Sequence, residues 1–425
     1  MAALTARRKR TDAPPEHPAL PKHPAPPPSR NTAVLVGFTA VTNLADGVVK
    51  MALPLLAAQR TDAPLQITAV ALTFTLPWLL FALYIGVLAD RFDRRRLLWA
   101  ANALRMAAMG GLTVAAATQG PALPQLLVAG AVLGIADVLA ATSASALVPA
   151  AVPPARRERA NAWMVGAETV GQEFAGPFVG GLLLAAGTSL ALGLTGVAYA
   201  LAALSLLLLA GRFRPAPPPS GTVAVPTRRR IAEGLGFLWR DPVLRTLSLV
   251  VAVLASVWGA WLGLMPLHAT TAMELGPREY GVLLSALGVG GLVGAVSVTW
   301  VNRLLGVRRA MLADLLGTAA MVALPALTTN IWAVAAGALL GGTGGTLWSV
   351  NARTLAQRRV PDAMLGRYSA AARMFTFGAM PVGTALAGVL AAAGGPRPAF
   401  GVFAAAALAT LLPFLKYLTG AALRS

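Results

Sequence analysis

Long apolar runs separated by short polar turns fill the chain from residue 33 to residue 418. Read with a window of roughly 19 residues, this pattern predicts twelve helical spans. Each run is long enough to cross about 30 Å of hydrocarbon as an α-helix, and the Gly and Pro within them are common in transmembrane helices. We place the spans near residues 33–58, 65–89, 95–117, 124–149, 161–187, 189–211, 243–268, 280–302, 309–328, 331–355, 366–393 and 397–418.

The composition also indicates a bilayer location. The chain is 56% hydrophobic and 12% charged, whereas a soluble domain has about 25% charged residues. It has no cysteine, which excludes disulfides, thiolate metal sites and cysteine nucleophiles. We therefore expect an all-α membrane protein with twelve transmembrane helices.

The basic residues predict the orientation. Twenty-nine Lys and Arg residues fall on the tails and on the turns that follow even-numbered spans, against three on the opposite side. This asymmetry predicts a multi-pass protein of the inner (plasma) membrane with both termini in the cytoplasm. The other three, Lys50, Arg105 and Arg373, lie within predicted spans. The net charge of +19 does not indicate nucleic-acid binding, because the arginines are dispersed over separate turns.

Two polar stretches define the domain organisation. Residues 1–32 are basic, rich in proline and lack an apolar h-region, so we interpret them as a disordered cytoplasmic tail and not as a secretory signal. Residues 212–242 separate six spans from six and form the predicted linker. The remaining predicted parts are an N-terminal six-helix bundle at 33–211, a C-terminal six-helix bundle at 243–418 and a short cytoplasmic tail at 419–425.

Internal repeats indicate that the two halves are related. An acidic residue and a basic cluster follow span 2, and a weaker copy follows span 8, with Asp90 and Asn302 offset by 212 residues. A second pair of similar segments starts at Val152 and Val360, an offset of 208 residues. Two repeated six-span halves are typical of secondary transporters, so the sequence predicts movement of a small molecule across a membrane.

The segment between spans 2 and 3 resembles motif A of the major facilitator superfamily, Gly-x-x-x-Asp-Arg-x-Gly-Arg-Arg. The matching residues are Gly86, Asp90, Arg91, Arg94 and Arg95. Asp93 stands where the motif has Gly. The segments Arg159-Ala-Asn161 and Gly176-Pro177-x-x-Gly180-Gly181 look like the branch that contains the enterobactin exporter and macrolide efflux pumps. The resemblance covers all twelve spans and implies the major facilitator fold, but it does not specify a substrate.

Asp90 is a candidate conformational latch. It ends span 2, where a neighbouring helix N-terminus carries roughly half a positive charge. The resemblance implies that this carboxylate braces the start of span 11 near Gly366 and favours an outward-facing state. Asn302 carries no charge, so a second latch is expected to be weaker. The alternative is that Asp90 and the arginines only terminate the helix and fix topology.

Acidic residues inside spans are candidates for proton coupling, because a charge in the membrane is costly and is a functional candidate by default. A desolvated carboxylate can exchange protons near neutral pH, as a proton antiporter requires. We rank Asp46 first and Glu173 second. The alternative for Asp46 is a structural pair with Lys50 or Arg105. The full set of acidic candidates is Asp46, Glu173, Glu168 and Asp137.

Aromatic residues in spans 7, 10 and 11 are candidate substrate contacts, because these spans border the cavity in a facilitator-type bundle. They favour a fairly apolar, amphipathic substrate, although ordinary packing is the alternative. Arg373 is interpreted as the only charge well inside a span of the second half, so proton chemistry is expected in the first half. The cavity candidates are Arg105, Arg373, Trp258, Trp261, Trp348 and Phe375.

Other functional classes have little support. No Walker A sequence is present, and the three histidines, His17, His23 and His268, do not form a metal centre or a catalytic triad. We expect no enzyme activity, cofactor, metal or nucleic-acid partner, and a monomer that meets a small-molecule substrate, protons and membrane lipids. The predicted function is proton-coupled export of an amphipathic drug, macrolide-like compound or siderophore. The alternatives are an uptake facilitator or proton symporter, a lysophospholipid flippase, and an intramembrane enzyme or sensor.

Overall fold

Helices account for all the regular structure in the residues that the computed structural model describes, which are 28–211, 213 and 227–419. We number the α-helices in chain order. They are α1 Pro28–Ala58, α2 Pro64–Arg91, α3 Arg94–Thr118, α4 Leu123–Ala151, α5 Pro154–Glu168, α6 Gly176–Ala186, α7 Thr188–Ser205, α8 Thr227–Arg240, α9 Pro242–Thr271, α10 Pro277–Leu305, α11 Val307–Leu327, α12 Ile331–Arg359, α13 Asp362–Gly394, α14 Pro396–Ala409 and α15 Leu411–Tyr417.

Eleven helices of the described residues are long and apolar enough to cross a membrane. The remaining predicted span, 161–187, is divided by a π-helical segment, Thr169–Ala175, between α5 and α6. Pro177, the second residue of α6, has no backbone N–H and cannot donate a hydrogen bond to the preceding turn. A π-helical turn is wider than an α-helical one, and such π-bulges within helices often occur at functional sites. Together the three segments supply the twelfth crossing, which agrees with the predicted all-α fold class.

The basic motif after α2 stabilises helix ends. The Asp93 carboxylate accepts hydrogen bonds from the backbone N–H groups of Arg95 and Arg96 at 2.9 and 3.3 Å. Asp93 is therefore the N-cap of α3, which explains an acid where the motif has Gly. The Arg95 guanidinium donates to the carbonyl of Leu209 at 3.3 Å. Arg308 repeats this role in the second half, donating to the Leu418 carbonyl at 2.9 Å, and such cations are favourable at helix C-termini.

The predicted linker contains a helix, α8, that packs against α13. The Glu233 carboxylate lies 2.7 Å from the Arg367 guanidinium, and the Trp239 ring stacks on Phe375 at 6.3 Å between centroids. Gly234 lies directly against the Arg367 backbone. The stretch from 214 to 226 and the predicted tails before residue 28 and after residue 419 lie outside the described residues. The second part of the linker is thus attached to the C-terminal bundle.

The two halves touch each other on one side of the molecule. We call the side where α1 begins and α8 lies the terminal face, and the other side the opposite face. Near the opposite face, α6 meets α10 so closely that a Cβ at Gly181 would lie 2.7 Å from the Pro277 carbonyl oxygen. Thr68 of α2 likewise packs on Gly388 of α13. Glycines permit these contacts because backbones can approach only where no side chain intervenes.

Candidate functional site

A cavity of about 610 Å³ lies between the two halves. Its walls come from α1, α2, α4, α5 and the π-helical segment, with α9, α10 and α13 on the other side. The lining extends from Pro54 deep in α1 to Val148 and Asn161 near the terminal face. Because the halves are in contact near the opposite face and the described lining reaches Val148 and Asn161, we interpret the cavity as opening toward the terminal face. We call it the central cavity.

Four charged side chains form a network at the wall of the central cavity. The Arg105 guanidinium lies 2.7 Å from Asp46 Oδ2 and 3.4 Å from Asp137 Oδ1. The Lys50 ammonium lies 3.6 Å from Asp137 Oδ2. Two cations and two anions from α1, α3 and α4 thus compensate one another, and Lys50 is the most exposed of the four. Of the two partners considered for Asp46, the structure pairs it with Arg105, while Lys50 pairs with Asp137.

Two aromatic side chains that the sequence analysis did not identify complete this network. The Tyr199 hydroxyl donates to Asp46 Oδ1 at 2.7 Å, and its ring centroid lies 5.1 Å from the Arg105 Cζ atom. The Trp78 indole N–H donates to Asp137 Oδ2 at 3.2 Å. Neither residue is charged, so the hydropathy pattern gives no signal for them beyond a polar atom inside an apolar span.

Asp46 and Asp137 differ in how tightly they are held. Asp46 has two partners at 2.7 Å and a side chain 9% exposed. Asp137 has longer contacts, and its side chain is 15% exposed. Trp78, which holds Asp137, also stacks on Phe377 of α13 with ring centroids 5.3 Å apart. Asp137 is therefore connected through one side chain to the second half of the molecule.

Glu168 and Glu173, the other two acidic candidates, face the central cavity. Both side chains are exposed, and both line the cavity, from α5 and from the π-helical segment respectively. The structure shows no hydrogen bond from either carboxylate to another described residue. They are consequently accessible to water or to a ligand in the cavity.

A second cavity of about 400 Å³ extends into the C-terminal half. It shares Glu173, Leu287 and Met380 with the central cavity, so the two spaces adjoin. Asp314 of α11 lines it and is 1% exposed. The interpretation that Arg373 is the only charge well inside a span of the second half was therefore wrong. The signal was a lone carboxylate within predicted span 309–328, close enough to the basic turn to be overlooked.

The predicted aromatic contacts separate into two groups. Trp258 and Trp348 line the second cavity. Trp261 is fully buried in the core, and Phe375 lies against α8. Arg373 is exposed and is absent from the described walls of both cavities. Of these five residues, only Trp258 and Trp348 line a described cavity wall, and a substrate role for any of them stays a prediction.

The latch assigned to motif A also stays a prediction. Gly86, Asp90 and Arg91 occupy the last turns of α2, but the side chain of Asp90 and the surroundings of Gly366 lie outside the described residues. Asn302 forms two reciprocal amide hydrogen bonds with Asn351, at 2.8 and 3.1 Å. These bonds join α10 to α12 within the second half, so the Asn302 amide is engaged inside one bundle.

Comparison with known proteins agrees with the architecture. A protein that is 29% identical over 400 residues, covering 91% of this chain and 94% of its own length, is named multidrug efflux pump Tap, from Mycolicibacterium fortuitum. Another, 27% identical and covering 80% of each chain, is named enterobactin exporter EntS, from Shigella boydii serotype 18. These relatives confirm the resemblance noted from the sequence motifs.

Solved structures share the fold. The crystal structure of a bacterial homologue of the iron transporter ferroportin, in an inward-facing state, superposes with a TM-score of 0.71 at 19% identity, covering 92% of this chain and 98% of the other. The model of the Major Facilitator Superfamily matches residues 35–305 and 270–422, which together span nearly the whole described chain. Twelve crossings in two six-helix bundles around a central cavity are the major facilitator fold, and the chain belongs to the major facilitator superfamily of membrane transporters.

Proposed function

We propose that the protein exports an amphipathic small molecule in exchange for protons. In this proposal it lies in the plasma membrane and its terminal face is toward the cytoplasm. The names of the relatives Tap and EntS, a multidrug efflux pump and an enterobactin exporter, support export. The observation that carries the proton coupling is the network of Asp46, Lys50, Arg105 and Asp137 at the wall of the central cavity.

The substrate is proposed to occupy the central cavity. Apolar side chains such as Phe38, Phe74 and Leu284 form much of its wall, and Glu168 and Glu173 supply exposed polar groups. A pocket of this size, mostly apolar with a few polar groups, suits a drug-sized ligand. The cavity is open toward the terminal face, so a substrate enters it from the cytoplasm when that face is cytoplasmic.

Asp137 is the proposed proton-binding residue. Its ion pairs, at 3.4 and 3.6 Å, are longer than the 2.7 Å pair of Asp46, and its side chain lines the cavity from which a proton can arrive. Protonation removes one negative charge, leaving Lys50 and Arg105 with Asp46 alone. The network then has a net positive charge, a costly state in a membrane that favours a change of conformation.

Trp78 connects this protonation to the movement of the two halves. A hydrogen bond to an ionised acceptor is roughly twice as strong as one to a neutral acceptor, so protonation of Asp137 weakens its bond with the Trp78 indole. Trp78 is thereby less firmly positioned against Phe377 of α13. The contact between the halves near the middle of the membrane loosens, which permits the cavity to close on one side and open on the other. The membrane potential adds a driving force to the exchange of about 2.3 kcal/mol per 100 mV for each charge that crosses the membrane.

Asp137→Asn is expected to uncouple the carrier. The change removes the exchangeable proton but keeps a hydrogen-bond acceptor for Trp78. Proton-driven accumulation of a fluorescent amphiphile such as rhodamine 6G in liposomes should fall to the level of protein-free liposomes. Exchange of labelled for unlabelled amphiphile should persist. Asp62→Asn, which changes an exposed acid between α1 and α2, is the control and should behave as wild type. Unchanged accumulation in the Asp137→Asn protein would contradict the assignment.

The topology can be tested with single cysteines, because the chain has none of its own. The proposed orientation places residue 218 in the cytoplasm and residue 274 outside. In intact cells, a membrane-impermeant maleimide should label Glu274→Cys and leave Pro218→Cys unlabelled until the cells are lysed. The reverse labelling pattern would show that the terminal face is extracellular, and the cavity would then be open to the outside.

A further inference from the structure

The second cavity contains a carboxylate without a positive partner. Asp314 is 1% exposed, and in the described part of the chain its one polar contact is the Thr318 hydroxyl, which donates to Oδ1 at 3.2 Å. The described walls of this cavity include no Lys, Arg or His. The central cavity is different, since its buried acids are matched by Arg105 and Lys50.

This imbalance favours a positively charged ligand. An unpaired charge inside a membrane protein is costly, and the cost falls when a cation comes close enough to form an ion pair. The exposed carboxylate of Glu173 lies on the boundary that the two cavities share. A cation moving from the central cavity toward Asp314 therefore passes a second negative charge.

The walls are suited to an organic cation with apolar rings. Trp258 and Trp348 line the cavity, and indole faces attract cations as well as apolar surfaces. Gly291 leaves space in the cavity, because a Cβ there would meet only the Thr346 hydroxyl, at 3.6 Å. The volume of about 400 Å³ is within the range of small-molecule pockets.

We propose that the second cavity is a binding subsite for an amphipathic organic cation, whose positive group pairs with Asp314 while its rings lie against Trp258 and Trp348. The proposal rests on the proposed transport function and narrows the substrate class from any amphipathic molecule to a cationic one. It gives the C-terminal half a part in substrate binding that is separate from the proton-binding network of the N-terminal half.

Binding of two ions of the same shape and opposite charge tests this subsite. Tetraphenylphosphonium and tetraphenylborate are each offered to the purified protein in detergent by equilibrium dialysis, with protein-free micelles as the blank. Wild type should bind tetraphenylphosphonium and show no saturable binding of tetraphenylborate. Asp314→Asn should weaken tetraphenylphosphonium binding at least tenfold, about 1.4 kcal/mol. Thr318→Val removes the hydroxyl that contacts Asp314 but keeps the Asp314 carboxylate. Its affinity for tetraphenylphosphonium should stay within about threefold of wild type.

A second variant keeps the test informative if Asp314→Asn does not fold. Gly291→Leu places a side chain in the open space of the second cavity and should also weaken tetraphenylphosphonium binding at least tenfold. Gly110→Leu is the matched control, because Gly110 is exposed on α3 and a Cβ there meets nothing within 4 Å. It should bind as wild type does.

Three results would overturn the proposal. They are no saturable binding of tetraphenylphosphonium by wild type, saturable binding of tetraphenylborate by wild type as tight as that of tetraphenylphosphonium, and equal tetraphenylphosphonium binding by wild type and Asp314→Asn. If Asp314→Asn keeps this binding but loses proton-driven transport, Asp314 binds a proton instead. Dialysis uses no ion gradient, so a failure of proton-coupled export would leave a positive binding result standing, and the two proposals fail independently.

Discussion

Arg105→Gln is expected to abolish transport and to destabilise the protein. The guanidinium lies between Asp46 and Asp137 and is 2% exposed, so its removal leaves two acids with only Lys50 as a compensating charge. Removing one partner of a buried ion pair typically costs about 3–5 kcal/mol. We expect a lower unfolding temperature in detergent, measured by intrinsic fluorescence, and dye transport at background.

A second substitution distinguishes charge imbalance from general damage. Arg105→Gln combined with Asp46→Asn removes both members of the 2.7 Å pair and should recover most of the lost stability, because no uncompensated charge remains at that position. Transport should not recover, since the network is still incomplete. If the loss of stability in the double variant equals the sum of the losses in the two single variants, the network does not act as a charge-balanced unit.

Gly281→Leu is expected to shift the carrier toward the state that is open on the opposite face. A Cβ at Gly281 would lie 2.6 Å from the Pro177 carbonyl oxygen, so α6 and α10 cannot keep their present separation. Overpacking of this kind costs about 1–3 kcal/mol, which corresponds to a population shift of roughly 5- to 150-fold. Transport should fall because the opposite face no longer closes.

Single-cysteine reactivity measures this shift. Thr68→Cys replaces a residue that is 3% exposed in the contact between α2 and α13, and its reaction with a maleimide should accelerate at least tenfold in the Gly281→Leu background. Ser145→Cys, which lies in the central cavity, should react more slowly. Gly110→Leu, facing open space, should change neither rate. Equal rates in all backgrounds would show that the contact between α6 and α10 at Gly281 does not control closure.

Hydropathy was sufficient for the fold because each crossing is long, apolar and bounded by a short turn or a polar stretch. The exception is the fifth span, where the π-helical segment Thr169–Ala175 interrupts the helix. Its geometry depends on how Gly171 and Gly176 pack against α1, and a window average carries no information on such packing. The helix α8 was also missed, since it is too short and too charged to register as a membrane span, and its position depends on contacts with α13.

The candidate site was predicted in part. Charge within an apolar span identified Asp46, Asp137, Glu168 and Glu173, all of which line the central cavity. The pairing within the network was not determined, because Asp46 could pair with Lys50, four residues later on the same helix, or with Arg105 in another span, and only the arrangement of α1, α3 and α4 chooses between them. Trp78 and Tyr199 were missed for a related reason. Their importance comes from the carboxylates they contact across helices, at 3.2 and 2.7 Å.

The central claim, proton-coupled export, is tested most directly with purified wild-type protein in liposomes. Three fluorescent amphiphiles are offered outside, one cationic (rhodamine 6G), one neutral (Nile red) and one anionic (a bis-oxonol), under a pH gradient of either sign. With an acidic lumen, protons leave as substrate enters, so at least one dye should accumulate above its equilibrium level and the lumen should become more alkaline. Nigericin should abolish both effects. Accumulation only with an alkaline lumen, or equal distribution of all three dyes under both gradients, would contradict the account.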